Sequence, residues 1–235
     1  MKKIFLKLSL LSCLLIALFS CSEEQPKTST ALEYSDYIQM YTSGVLSKND
    51  VVRIVLTQPI DPNKLDWEGI KKELLLFSPS IDGELILQDN NTLIFEPASQ
   101  LMSGQKYAAT LALKQLFDVE DDLEQFRFDF EVIPQNFDVF FSGIETHTDD
   151  PSKVNIKGTI DFADFVSLED VKKVVKATLG ANELVFSWES GGDTYRQHRF
   201  KIEGQPRKDV VQNIVLSWDG APLDIDNKGS RTNLI

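Results

Sequence analysis

The residues able to do chemistry are few, and they are scattered along the chain. Asp224-Ile225-Asp226-Asn227-Lys228-Gly229 has the spacing that opens a calcium loop, where oxygen ligands stand at the first, third and fifth positions and a bidentate Glu at the twelfth. Lys228 fills the fifth position and no Glu follows at the twelfth, so the segment reads as a polar turn. Asp118-Val119-Glu120-Asp121-Asp122 concentrates carboxylates suited to a hard cation, but between two β segments such a run reads as a solvated loop. His147 with Asp149 and Asp150 has the residue types of a metal or acid–base site and reads more simply as a turn after a strand. Trp67, Trp188 and Trp218 offer faces on which a sugar could stack; at comparable places in β segments they read as core or inter-sheet packing. No nucleophile elbow, phosphate-binding loop or dinucleotide fingerprint occurs. The expectation is a protein that is not an enzyme, with no catalytic, cofactor-binding or metal-ligating residues and no cofactor.

The chain has 235 residues, with 24 Lys and Arg against 36 Asp and Glu, a formal charge of −12. An apolar fraction of 42% with 10% aromatic residues is that of a folded protein. The acidic balance argues against nucleic acid as a partner, because phosphate binding needs a concentrated basic surface. The first twenty residues belong to targeting rather than fold. Met1-Lys2-Lys3 and Lys7 give a positive start, and Leu8 to Phe19 is almost wholly apolar, too short for the roughly 20 residues of a spanning helix. The stretch ends Leu18-Phe19-Ser20-Cys21, which resembles the lipobox of bacterial lipoproteins, where cleavage precedes the cysteine and its thiol carries lipid. That resemblance implies lipidation at Cys21, loss of Cys13 with the signal peptide, and a bacterial cell-envelope location. The protein would be lipid-anchored in the outer membrane and periplasmic or surface-facing, with the membrane as a partner through its N-terminal lipid. Ser22-Glu23-Glu24-Gln25 resembles the acidic surface-export signal of some Gram-negative lipoproteins and reads equally as a solvated tether.

The elements that must position any site are β-strands. Val51–Leu56, Leu74–Phe77, Glu84–Leu87, Thr92–Phe95, Tyr107–Leu113 and Phe126–Val132 read as strands, the last with Phe126, Phe128, Phe130 and Val132 on one face. The second half repeats the plan: Val154–Ile160, a helix over 168–177 opened by Ser167 and Asp170, then Glu183–Trp188, a Gly191-Gly192 turn, Tyr195–Ile202 and Ile214–Trp218. The first-half counterpart of the helix is Leu65–Lys72. The expected fold is all-β: two tandem sandwiches with a short helix in each. The organisation is a signal peptide over 1–20, the lipidated Cys and a polar linker over 21–35, a first sandwich over 36–134 and a second over 135–235. Residues 227–235 offer no evident closing strand, and the second unit reads as cut short.

Phe77-Ser78-Pro79 through Gly83, then Asn91-Thr92-Leu93-Ile94-Phe95-Glu96-Pro97, Leu101, Gly104 and Tyr107, resembles the signature of bacterial Ig-like domains. Such a domain opens the bacterial alpha-2-macroglobulin-like lipoproteins, directly behind their lipobox. Ser103 stands where that pattern often has Pro. Leu46-Ser47 and Phe140-Phe141-Ser142-Gly143-Ile144 are similar to the family as well; the specific stretch covers roughly residues 44–113. Members of the family are large proteins that trap proteases by closing around them after cleavage of a bait segment, many with a Cys–Gln thioester. Cys21 and Gln25 are one residue too far apart for that thioester. The resemblance therefore implies the anchor and N-terminal domains of a protease-trapping, protease-inhibitor protein, with proteases as partners of domains beyond this piece. The other reading open at this point is a stand-alone surface adhesin or glycan-binding lipoprotein.

Overall fold

A computed structural model describes residues 32–63, 65–189 and 195–235. Cys21, the signal peptide and the tether through Ala31 lie outside the described residues, as does the Gly191-Gly192 turn. Strands are numbered in chain order. The first half folds as two four-stranded sheets. One contains β1 (Ile38–Tyr41), β3 (Val52–Leu56), β6 (Thr92–Pro97) and β5 (Gly83–Gln88) in that order; the other contains β2 (Gly44–Leu46), β8 (Gln125–Val132), β7 (Lys106–Ala112) and β4 (Leu75–Ser78). A short helix, α1 (Trp67–Leu74), joins β3 to β4, with the Asp66 carboxylate capping the Gly69 N–H.

Period-two alternation builds this core. In β8, Phe126, Phe128, Phe130 and Val132 are buried while the residues between them are wholly or partly open to solvent. Their rings meet Tyr41 and Tyr107 at centroid separations of 5.0 and 5.4 Å, and Phe77 meets Phe95 of the opposite sheet at 4.6 Å. Between β5 and β6, Asp89 and Asn90 both take left-handed φ values (52° and 59°), the pair that a tight hairpin turn requires.

The second half repeats this topology. Its first sheet orders β13 (Ser187–Trp188), β14 (Tyr195–Pro206), β10 (Lys153–Val166) and β9 (Phe137–Thr146); its second orders β12 (Asn182–Leu184), β11 (Val175–Leu179), β15 (Asn213–Asp219) and β16 (Lys228–Leu234). The helix α2 (Leu168–Val174) sits between β10 and β11 as α1 sits between β3 and β4. Strand for strand, β9-β10-β14 matches β1-β3-β6 and β11-β15-β16 matches β4-β7-β8. Each half has one buried apolar cluster drawn from both of its sheets, so the protein is all-β, two tandem Ig-like sandwiches with a short helix in each.

Three expectations are corrected. The helix expected to reach residue 177 ends at Val174, where β-branched Val175 turns extended and pairs with Trp218 of β15. Residues 183–188 are not one strand: β12 pairs with β11, and after Val185 and Phe186 the chain changes sheets, so that β13 pairs with β14. Residues 228–234 do form a closing strand, in register with β15 from Asn213 opposite Leu234 to Asp219 opposite Lys228. Among the described residues no helix is long and apolar enough to cross a membrane.

At Gly158, in the middle of β10, a Cβ atom would collide with the Phe200 ring and the Phe140 carbonyl. Gly158→Ala should therefore destabilise the protein by about 1–3 kcal/mol through overpacking. An unchanged urea midpoint would contradict this packing account.

Candidate interaction site at the joint between the sandwiches

The most heavily built polar site lies where the two sandwiches meet. Along β10, Ile156, Ile160, Phe162, Asp164 and Val166 share the inward face, so the alternation that buries three apolar residues in succession also buries a carboxylate. The Asp164 side chain is 2% exposed. Its Oδ1 accepts from the Ser47 hydroxyl at 2.7 Å and from the Phe165 N–H at 2.8 Å, and its Oδ2 accepts from the Lys48 N–H at 2.8 Å. Ser47 and Lys48 belong to the turn between β2 and β3, so two of the three donors come from the other sandwich. That turn is itself held by Asp50, whose carboxylate accepts from the Ser47 N–H at 2.8 Å. Arg196 of β14 stands 3.9 Å from Asp164 and lies over the Phe165 ring, 5.2 Å from its centroid.

The connecting segment completes the joint. Gln135 uses its side-chain amide as a strand neighbour would use its backbone: Oε1 accepts from the Asp164 N–H at 2.9 Å, and Nε2 donates to the Asp164 carbonyl at 3.1 Å. The Ser103 hydroxyl donates to the Ile133 carbonyl at 3.1 Å and accepts from the Gln135 N–H at 2.7 Å. A cleft of about 180 Å³ beside these groups is lined by Lys48, Gln135, Asp164, Asp170 and Asp224 among others. Besides Asp164, Asp170 is engaged there: it bonds Lys173 at 2.6 Å and the Ser167 hydroxyl at 2.9 Å. The Lys173 ammonium above all, then the Ser167 hydroxyl, holds its carboxyl below the usual range. Among the described residues, no group of three or more His, Cys, Asp or Glu side chains is placed to hold a metal ion.

Near this face, the His198 ring is fully buried, edge-on to Phe162 at 5.9 Å, with Nε2 3.2 Å from the Tyr195 carbonyl. Burial pushes its pKa below the ordinary 6.5, against the opposing pull of the Tyr195 and Val166 backbone bonds.

The residues singled out in the sequence are not brought together. Asp121 and Asp122 start an exposed 3-10 turn. His147 accepts the Asp149 N–H at 3.3 Å, while Asp150 bonds the Ser152 hydroxyl at 2.6 Å and Lys153 at 3.0 Å. The Ser152 and Lys153 bonds hold the Asp150 carboxyl down at about 2. Asp224 takes a left-handed φ of 56° closing a 3-10 turn. Asn227 accepts from Trp218 Nε1 at 3.0 Å and donates to the Asn136 side chain at 3.0 Å, so this segment staples the second sandwich to the linker. Trp67 packs on the first core; Trp188 and Trp218 pack on the second from different sheets. Asp164 was missed, although a carboxylate at an inward position of a strongly alternating strand is a sequence-readable signal.

No protein-family model matches the chain, and no characterised protein matches it by sequence. In architecture it is similar to a chimeric titin Z1Z2 carrying a decorin-derived peptide (TM-score 0.36, 10% identity, covering 85% of this chain and 96% of that one). It is also similar to bovine butyrophilin (TM-score 0.30, 7% identity, 85% and 96%). An L,D-transpeptidase from Mycobacterium tuberculosis gives a TM-score of 0.33 at 12% identity over 67% of this chain and 60% of that one. The chain thus spans under two thirds of that transpeptidase's length. None of these likenesses extends past overall β architecture.

Two predictions follow from the joint. Asp164→Ala leaves the Ser47 hydroxyl and the Lys48 N–H without their acceptor, at a cost of about 1–3 kcal/mol for each buried donor that finds no water. The linker around Gln135 should then be cut faster by a non-specific protease, and the angular spread between the sandwiches should widen in small-angle scattering. An unchanged cleavage rate and scattering profile would mean that the carboxylate does not hold the joint. For His198, the unfolded chain takes up a proton as pH falls through 6.5 while the folded protein resists it. Stability is therefore flat above that value and declines below it. His198→Gln should flatten the decline between about pH 7 and about pH 5 in urea titrations; an identical pH slope in both proteins would refute the assignment. The lowered carboxyls of Asp150 and Asp170 act lower still, as pH falls through their own depressed values.

Proposed function

We propose that this chain is a non-catalytic cell-envelope lipoprotein module: the anchor and N-terminal domains of an alpha-2-macroglobulin-like, protease-trapping protein. Lipid on Cys21 fixes one end, residues 22–33 serve as a polar tether of at most ~40 Å when extended, and the two sandwiches carry the remaining domains away from the membrane. The observation that carries this reading is the Asp164 joint. A carboxylate buried in one sandwich and received by the turn of the other suits a stiff spacer, which needs a fixed angle between its parts. The family-like run supports it too. Thr92–Pro97 is the inner strand β6, Leu101 is buried, Gly104 makes its turn at a φ of 70°, and the Tyr107 ring stacks on Phe130.

The anchor is tested by fatty-acid labelling of wild type against Cys21→Ser. Label is expected on the first alone, and equal label on both rules the anchor out. The spacer role is tested by mixing residues 22–235 with several proteases, whose activity on large substrates should be unchanged. Stoichiometric loss of activity on large substrates, with small ones still cleaved, would place trapping within this chain and overturn the spacer reading.

A further inference from the structure

The two sandwiches end their matching sheets differently. β13, at the edge beside β14, is two residues long, because the chain there crosses between sheets. Its counterpart in the first sandwich, β5, runs six residues in unbroken register with β6 and forms a full edge. The ladder fixes where its backbone groups point. The Leu56 N–H donates to the Asn91 carbonyl and the Ala98 N–H to the Asp82 carbonyl, so odd-numbered residues of β6 turn toward β3 and even-numbered ones toward β5. Gln88, Ile86 and Glu84, opposite Thr92, Ile94 and Glu96, therefore direct their backbone bonds to β6. The N–H and C=O groups of Leu85 and Leu87 point off the edge, where no described strand pairs with them.

Beside this edge lies a cleft of about 280 Å³ whose far wall is α1. Leu85, Ile86 and Leu87 line it from the strand, and Trp67, Glu68 and Lys71 from the helix. Natural edges are blunted by Lys, Pro, a bulge or brevity; β5 has no Lys, Pro or bulge, and its one charge is Glu84. A free ladder that faces a helix across a partly apolar cleft is suited to take up an extended peptide as a further strand. Alternate side chains of such a peptide enter the cleft over Trp67 and Leu87, and those between them lie beside Glu84.

The charge around the cleft defines the complementary partner. Lys71 is held by Glu68 at 2.7 Å and stands 3.8 Å from Glu84. Asp61, Asp66, Glu73, Asp82 and Asp89 each lie within two residues of a lining position in the sequence, as do Lys64 and Lys72. With Glu68 and Glu84 that makes seven carboxylates against three ammonium groups. A second copy of this chain would bring two such acidic rims together, and like charges across a strand pair are unfavourable.

We propose that the groove between β5 and α1 is a docking site for an extended, basic segment of another protein, which joins the sheet as a strand beside β5. Its backbone bonds Leu85 and Leu87, its alternate apolar side chains fill the cleft, and its Lys or Arg side chains meet Glu68 and Glu84. This adds a recognition function to the chain and does not rest on the spacer reading.

The probe is a fluorescein-labelled octapeptide of alternating lysine and valine, titrated with residues 22–235 and followed by anisotropy. Saturable binding is expected, and it should weaken about tenfold or more in Glu68→Lys/Glu84→Lys, where two rim charges are reversed. Both side chains are exposed (76% and 70%), so the fold tolerates the change. Glu183→Lys/Glu203→Lys, the same charge change at exposed positions of the second sandwich, should leave binding unaltered. Methylating the backbone nitrogens of the valines in one peptide and of the lysines in another separates ladder from charge. One should bind about tenfold or more weakly and the other like the parent, because only one set faces β5. No binding of the parent, equal loss in the two charge variants, or equal binding of the two methylated peptides overturns the proposal. So does self-association of residues 22–235 that the peptide dissolves, which would make the occupant a second copy.

Discussion

One buried carboxylate, Asp164, ties the two halves together by accepting hydrogen bonds from both. Withdrawing the Asp164 charge from water costs several kcal/mol, and its return is three charge-assisted hydrogen bonds at 2.7–2.8 Å. A buried charge bonded in this way is roughly break-even against an apolar replacement of similar volume. The consequence is geometric. Two of the donors sit on the turn between β2 and β3, and any rotation of one sandwich against the other strips the charge of acceptable partners. A weak net stabiliser therefore acts as a strong angular constraint. Gln135 reinforces it by making the linker a fourth neighbour of the same residue, tying its backbone on both sides.

The repeat shows how one topology is put to two uses. In the first sandwich, β2 leaves the first sheet and pairs parallel with β8, closing that edge. In the second, β9 stays on β10 from Phe137 to Thr146, and β16 remains an edge of its sheet. Lys228, Arg231 and a row of small polar residues along β16 are what an uncovered edge carries to discourage strand addition.

Much of the fold was legible because its core strands alternate without interruption. Phe126 to Val132 announces both its register and its buried face, and the Ser167 cap marks the start of α2 to the residue. The strands that escaped notice are those whose partner, not their own pattern, makes them strands. Lys-Gly-Ser-Arg-Thr-Asn-Leu has no apolar alternation, and it is extended because β15 offers seven residues of ladder. Residues 183–188 look like one strand since Leu184, Phe186 and Trp188 alternate, yet exposed Val185 and half-buried Phe186 carry the chain from one sheet to the other. The joint was illegible for a different reason. Its two sides are 117 residues apart, and no local pattern marks Ser47 as the partner of Asp164.

In the proposed lipoprotein a polar tether would set a distance from the membrane and little orientation, the part that a fixed joint plays being the reverse. The Asp164 joint transmits orientation and fixes distance as well. In the proposed lipid-anchored spacer, such a joint would keep the mutual geometry of the domains constant while their distance from the membrane varied. The proposed trapping protein would need that division. Its moving parts can be positioned relative to one another only if the domains supporting them do not flex, whereas their position relative to the membrane is free to vary. A carboxylate that is nearly neutral in energy but exacting in geometry is the economical way to build such a support, because it fixes an angle without demanding the large apolar interface that would otherwise be needed to hold it.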